Sequence, residues 1–263
     1  NTILGNTFSN VLSGLSGDDI LNGNEGSDTG VGGSGNDTFV VDTATDVVRE
    51  FAGEGTDLVR AETDYTLPTG SASAFIETLR MQQGFGNIDG TGNSLDNTVL
   101  GNTGDNRLAG NQGVDHIIGG DGDDTLFGGA GGDRMDGDSG ADTLAIGQDD
   151  AAFGGAGADE FRFNGANLGF GGSGGPVIRD FDGVSANGAN GEDKLVYATG
   201  LEVGSFAYIG GAAFSGGGNS EVRFAGNRQI QVDEDGDGNV DQAFLVDGVS
   251  NAGLLTSTDF VWL

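Results

Sequence analysis

The sequence predicts an all-β chain folded as a parallel β-roll, a β-solenoid with two nonapeptide blocks and a C-terminal β cap. Three observations predict it. Glycine recurs with a period of nine, aspartate holds the sixth place of the unit, and a large apolar residue holds the eighth. The first block reads "GLSGDDILN" from Gly14, "GNEGSDTGV" from Gly23 and "GGSGNDTFV" from Gly32. The second runs from Gly92 to Ala145 as "GNSLDNTVL", "GNTGDNRLA", "GNQGVDHII", "GGDGDDTLF", "GGAGGDRMD" and "GDSGADTLA". A spacer then shortens the register by one residue before "GGAGADEFR" at Gly154–Arg162.

Nine residues are too few for a strand and turn to close on themselves, but two units make one flat coil of turn, strand, turn, strand. Residues at the eighth position (Leu21, Gly30 and Phe39; Val99, Leu108, Ile117, Leu126, Met135 and Leu144; Phe161) then point inward from two parallel sheets. Gly30 leaves a gap in that column, facing Phe39. A coil of 18 residues brings Asp115 above Asp133, and Asp124 above Asp142.

Stacked turns line the coil edges and need restricted backbone conformations and close approach, which glycine allows. The glycines concerned are Gly14, Gly17, Gly32, Gly35, Gly119, Gly122, Gly128, Gly131, Gly137, Gly140, Gly154 and Gly157. Backbone carbonyls at these turns, with the carboxylates of Asp19, Asp28, Asp37, Asp115, Asp124, Asp133, Asp142 and Asp159, make oxygen cages. Such cages suit Ca2+, whose coordination is flexible, better than Mg2+. Transition metals favour imidazole or thiolate, and the chain has no cysteine and one histidine, His116. Several Ca2+ ions are expected.

Composition agrees. The 263 residues include 54 glycines, two prolines and 41 acidic against ten basic residues, for a net charge of −31. Such charge reads as disorder unless counterions offset it. It opposes nucleic acid and anionic membranes, and no apolar run is long enough for membrane insertion. Absence of cysteine excludes disulfides and thiol nucleophiles, and a lone histidine excludes a zincin motif. The start, "NTILGNTFSN", lacks the basic and apolar stretches of a signal peptide. A repeat begins at once, so a longer parent chain is expected.

Departures from the pattern are informative. "GNTFSNVLS" at Gly5–Ser13 carries Phe8 for glycine and Asn10 for aspartate, and Asn97 and Asn106 replace aspartate where the second block opens. Asparagine keeps an oxygen and loses the charge, so these turns are expected to be weak sites or cation-free caps. Atypical end repeats protect a solenoid's edges.

The organisation expected is residues 1–40 as a first roll block, 41–91 as a β-solenoid spacer, 92–162 as a second roll block and 163–263 as a capping domain. In the spacer, "TFVVD", "DVVREF", "DLVRA", "DYTL" and "FIETLRM" read as short strands, and "GEGTD" as an edge turn. No strong calcium site is expected there, and Arg49, Arg60 and Arg80 are expected to pair with nearby carboxylates. After "FGGSGG", a loop, "VIRDFDG" and "GEDKLVYA" read as two strands, the second carrying the single lysine, Lys194. "EVRFAG", "RQIQVD", "QAFLVDG" and "DFVWL" then suggest a small antiparallel or capping sheet. "DEDGDGNVD" at Asp233–Asp241 has EF-hand-like spacing, but Phe244 stands where the bidentate acid belongs, so an acidic hairpin turn is expected.

The nonapeptides resemble the RTX (repeats-in-toxin) β-roll family, calcium-binding regions of bacterial proteins exported by type I secretion. The resemblance implies that the eight aspartates and backbone carbonyls bind Ca2+. "VVREFAGEGTDLVRAETDYTL" is similar to spacers between repeat blocks of long RTX proteins. The segment from "VIRDFDGV" to "LLTSTDFVWL" resembles the C-terminal domain of serralysin-type proteins, which caps the roll and carries an uncleaved export signal.

These readings predict a calcium-dependent folding and type I export module of a secreted or cell-surface protein. Its partner would be the type I secretion machinery, and its place extracellular. Two alternatives are a structural surface array or adhesin, self-associating through calcium, and a polysaccharide-binding module. The chain itself is expected not to be an enzyme: no cleft-specific carboxylate pair stands out, and Tyr65, Tyr197, Tyr208, Trp262 and the arginines form no catalytic pattern. A catalytic domain would lie N-terminal to Asn1. Protonating the aspartates, like chelation, is expected to undo the roll.

Overall fold

The computed structural model describes residues 1–70, 74–164, 176–181, 193–198, 206–208, 212, 220–226, 229–233, 239–240, 242–246 and 260–262. Among the described residues there is no helix. The protein is an all-β parallel solenoid, as its sequence predicts, in two units, Asn1–Ala130 and Gly131–Leu263.

The first unit contains β1 (Thr2–Leu4), β2 (Val11–Ser16), β3 (Ile20–Asn22), β4 (Thr29–Ser34), β5 (Thr38–Val41), β6 (Val47–Arg49) and β7 (Leu58–Ala61). It continues with β8 (Tyr65–Thr66), β9 (Thr78–Met81), β10 (Gly90–Thr91), β11 (Thr98–Leu100), β12 (Arg107–Gln112), β13 (His116–Asp121) and β14 (Thr125–Ala130). Odd-numbered strands form one parallel sheet, while β2-β4-β6 and β8-β10-β12-β14 form two others. Alternate residues of β5 and β7 are buried, the period of a strand with one face on a core. The apolar positions stack in register as Leu21, Phe39, Val59, Leu79, Val99 and Ile117. All six are at most 2% exposed, and each full burial is worth about 1.5–3 kcal/mol. The gap expected at Gly30 is closed by the Phe39 ring: a Cβ there would meet Phe39 Cδ1 at 2.8 Å.

Coils of the repeat blocks advance by 18 residues, as between Asp19 and Asp37. In the spacer the advance is 20 residues, from Asp37 to Asp57 and again to Glu77.

The second unit contains β15 (Arg134–Ser139), β16 (Thr143–Ile146), β17 (Ala151–Phe153), β18 (Glu160–Asn164), β19 (Val177–Ile178) and β20 (Lys194–Ala198). After these come β21 (Phe206–Tyr208), β22 (Ser220–Gly226), β23 (Gln229–Asp233), β24 (Gln242–Val246) and β25 (Phe260–Trp262). Here the coil shortens to 17 residues, in keeping with the shifted register of the last nonapeptide. Pairing of β22, β23 and β24 is antiparallel, the small sheet expected near the C-terminus. Yet β24 pairs parallel with β19, and β25 parallel with β20, so these strands extend the roll's own sheets. "DEDGDGNVD" connects two antiparallel neighbours, β23 and β24, as a hairpin requires; residues 234–238 and 241 of it lie outside the described residues. "FGGSGG", and 251–259 near the C-terminus, lie outside them too.

Candidate metal centres

One hydrogen bond recurs along the coil edges. The backbone N–H at the sixth position of one unit donates to a carboxylate oxygen one coil further on. Asp19 donates to Asp37 Oδ1 at 2.8 Å, Asp28 to Asp46 at 2.9 Å, Asn97 to Asp115 at 2.7 Å and Asn106 to Asp124 at 2.7 Å. In the second unit, Asp133 donates to Asp150 at 2.9 Å, Asp142 to Asp159 at 2.9 Å and Asp159 to Asp193 at 3.0 Å. All eight sequence-predicted aspartates are 6% exposed or less. Each therefore sits in the wall of a turn, with one oxygen engaged in most of them by the neighbouring coil.

The other oxygen meets the glycines. A Cβ built on Gly14 would lie 2.5 Å from the Gly32 carbonyl oxygen and 2.8 Å from Asp19 Oδ2. The same pair of oxygens, a carboxylate from its own turn and a carbonyl from the next coil, crowds a Cβ on Gly137, from Asp142 and Gly154. At Gly110 and Gly154 the crowding oxygens are those of Asp115 and Asp159. First-position glycines thus leave space between oxygens. Gly119 and Gly128 lie in β13 and β14. Fourth-position glycines differ: Gly17, Gly35, Gly122, Gly131, Gly140 and Gly157 all have positive φ. Second-position glycines Gly33, Gly120, Gly129 and Gly155 share that conformation and were missed as turn-formers, although the "GG" doublets signal them.

In the cradles of Asp28 and Asp37 an acceptor faces no donor. Asp28 Oδ2 and Asp37 Oδ2 are buried and accept no hydrogen bond, a state costing about 1–3 kcal/mol or more per group. Burial raises the Asp37 carboxyl pKa. Asp124 is pushed up to about 7, chiefly by burial and further by Asp105, Asp123 and Asp121. Asp150 is pushed up to about 6 by burial, with Asp133 and Asp149 adding to it. A pocket of carboxylate and carbonyl oxygens that a methyl group would fill fits a hard cation.

Residues 4–39, 91–124 and 109–144 match the family described as RTX calcium-binding nonapeptide repeat (4 copies). These stretches carry RTX repeats. Such repeats bind several calcium ions per domain, and a β-roll of them is a structural element of typically secreted proteins, with no catalytic role. No curated protein matches the chain.

Asn97 and Asn106 at the opening of the second RTX block, expected as weak sites or caps, carry donors of their own, as do Asn93 and Asn102. Asn97 Nδ2 donates to the Ile76 carbonyl at 3.0 Å, and Asn93 Nδ2 to those of Ala74 and Ile76 at 3.1 Å. Asn106 Nδ2 donates to the Ile88 carbonyl at 2.8 Å, and Asn102 Nδ2 to Gly86 at 2.9 Å. All four are buried.

Beyond the RTX repeats, the acidic ladder continues where nonapeptide spacing stops. Asp37 N–H donates to Asp57 Oδ1 at 2.7 Å, and Asp57 N–H to Glu77 Oε2 at 2.9 Å. "GEGTD" is thus an edge turn, as expected. The sequence reading missed Glu50, Asp57, Asp150 and Asp193 as buried acids; only a change of coil length could have revealed them. Arg49, Arg60 and Arg80 require correction. Among the described residues none of them makes an ion pair, and Arg60 instead donates to Gln82 Oε1 through Nε at 3.2 Å and Nη2 at 2.9 Å. The edge carboxylates turn inward, so they are not placed to pair with these sheet-face arginines.

A cleft of about 480 Å3 lies where β6 and β8 belong to separate sheets, lined by Asp46, Val48, Asp64, Tyr65, Pro68 and Asp89 among others. Tyr65 is buried against it and donates to the Asp46 carbonyl at 3.2 Å. No helix among the described residues is long and apolar enough to cross a membrane.

Proposed function

We propose that this chain is a calcium-triggered folding module that leaves the cell through a type I secretion machinery and orders outside it. The observation that carries this reading is the set of buried carboxylate oxygens lining glycine cradles, such as Asp37 Oδ2 beside Gly32. In this reading Asp19, Asp28, Asp37, Asp115, Asp124, Asp133, Asp142 and Asp159 hold the ions, together with carbonyls at the first- and fourth-position glycines of their turns. Bound calcium supplies positive charge where only acceptors converge. The chain's own part is to fix one carboxylate oxygen by a backbone N–H and to exclude side-chain carbon with glycine.

Because each cradle needs two adjacent coils, ion binding and folding share one free energy. Submicromolar free calcium leaves sites of extracellular type empty, and roughly millimolar calcium fills them. The chain is therefore extended during export and ordered afterwards. The serralysin-like C-terminal segment would cap the roll and carry the export signal, and parallel pairing of β25 with β20 supports the capping part.

A second reading, copies joined through calcium at a surface, draws on exposed Leu4, Phe8, Val11 and Leu15 in and between β1 and β2. Calcium titration followed by circular dichroism and size measurement tests both readings. The export-module reading expects an expanded chain that becomes strand-rich and compact as a monomer near millimolar calcium. Calcium-dependent oligomers would favour the surface array, and a strand-rich compact state after exhaustive chelation would overturn both.

A further inference from the structure

The calcium reading accounts for the nonapeptide turns, but the deepest cluster of carboxylates lies beyond them. Asp37 closes the first repeat block, whereas Glu50 and Asp57 belong to the spacer and fall outside the residues matching the RTX family. One carboxylate oxygen from each of the three lies within 4.8 Å of the others. That is the widest separation of two oxygens sharing one ion at a Ca–O distance of about 2.4 Å. Glu50 is 0% exposed, and Asp37 and Asp57 are each 1% exposed.

The three groups lack the partners that a structural carboxyl normally has. Glu50 Oε1 and Oε2 are buried with no well-formed hydrogen bond, the Gly32 N–H being the one nearby donor that favours its charged form, and Oδ2 of both Asp37 and Asp57 is likewise buried without a hydrogen bond. Among the described residues none of the three makes an ion pair. Oδ1 of Asp37 accepts the Asp19 N–H at 2.8 Å and Oδ1 of Asp57 accepts the Asp37 N–H at 2.7 Å, which leaves the second oxygen of each free to face Glu50. Burying three carboxyls this way is costly unless a charge of opposite sign joins them.

The position of Glu50 explains how the cluster arises. Strand β6 follows β4 in register, Val48 beside Gly30 and Arg49 beside Val31, so Glu50 comes one coil after Gly32, where the repeat would place a first-position glycine. In the coil before, the cradle at Gly14 is bounded by Asp19 Oδ2 and the Gly32 carbonyl oxygen. At Gly32 the corresponding neighbours are Asp37 Oδ2 and Glu50 Oε1, a carboxylate in place of a carbonyl. Here, too, the coil lengthens from 18 to 20 residues.

We infer that Asp37, Glu50 and Asp57 form a calcium site at the junction of the first repeat block and the spacer, with the Glu50 carboxylate standing where the repeat's own cradles have a carbonyl. This rests on the calcium reading above. Affinity of oxygen sites rises with ligand charge count and rigidity, so this site is the first to fill. It ties the long turn between β6 and β7 to the last nonapeptide turn of the block.

Calcium binding to the unaltered full chain, to Glu50→Gln and to Glu50→Gly, measured by equilibrium dialysis against buffered free calcium, tests the assignment. Glutamine keeps the shape and removes the charge; glycine restores the residue of the repeat and guards against a variant that fails to fold. The expected result is that Glu50→Gln loses the tightest binding step or weakens it about tenfold or more. In Glu50→Gly the site remains at an affinity like that of the other cradles. If the unaltered chain binds calcium and both variants titrate as it does, Glu50 is a buried neutral acid and the inference falls. If the unaltered chain binds no calcium, the reading beneath it falls as well.

Discussion

Two stretches of the first unit build the same turn and close it differently. In the first block, Asp28 and Asp37 present buried oxygens that no donor reaches. At the opening of the second block, Asn97 takes the same sixth position, accepts the Asn93 N–H at 2.7 Å and donates its amide to the Ile76 carbonyl at 3.0 Å. One atom differs. Replacing a carboxylate oxygen by an amide nitrogen turns a pocket of acceptors into a closed hydrogen-bond set. The asparagine coil contains its own counterpart to a cation, and the aspartate coils depend on one from outside.

Substitutions can break that contrast from both sides. Gly14→Ala is expected to have the larger effect, because its methyl group would enter the cradle 2.5 Å from the Gly32 carbonyl oxygen and 2.8 Å from Asp19 Oδ2. Loss of one bound calcium is expected, together with an overpacking cost of about 1–3 kcal/mol. Dialysis stoichiometry and thermal melts at saturating calcium read the two effects. Asn97→Ala leaves the Asn93 N–H and a bond to the Ile76 carbonyl unmade, for a loss of about 1–3 kcal/mol that does not vary with calcium. A loss that grew with added calcium would mean that Asn97 is itself a ligand.

Acidity gives the smallest and most gradual effect, and in the calcium-free chain its sign is opposite to the undoing expected of the calcium-loaded roll. Burial pushes Glu50 up to about 8, Asp124 to about 7 and Asp150 to about 6. A carboxyl with a raised folded pKa favours the fold when protonated. Its contribution is complete below the ordinary carboxylate range and disappears as pH rises through the raised value. The calcium-free chain is therefore expected to gain strand signal in circular dichroism on acidification from about pH 8 to about pH 5. Calcium is expected to bind more weakly over the same interval, since protons compete for its ligands. A calcium-free chain that lost order across this range would contradict these shifts.

Most of the roll was legible because its period is written twice, in glycine and in the apolar column. Leu21, Phe39, Val99 and Ile117 stack as the spacing requires, and the eight aspartates are buried. What escaped lies where the coil length changes. Asp57 is in the same edge ladder as Asp19 and Asp37 but 20 residues on, so a nine-residue frame passes over it. Glu50 escaped because it occupies a glycine position with the opposite character, a long charged side chain that folds back over the preceding coil. Arg60 escaped because nothing in the sequence distinguishes an arginine near a carboxylate in the chain from one near it in space; the sheet register brings it to Gln82.

Hydrogen exchange of the backbone amides, with and without calcium at neutral pH, separates the two kinds of coil in one sample and shows which of them needs the ion. The account expects residues 14–40 to lose protection when calcium is withdrawn, while residues 93–106 retain more of theirs. Equal protection of both stretches in the calcium-free chain, unchanged when calcium is added, would show that the aspartate cradles close without an ion and would contradict it.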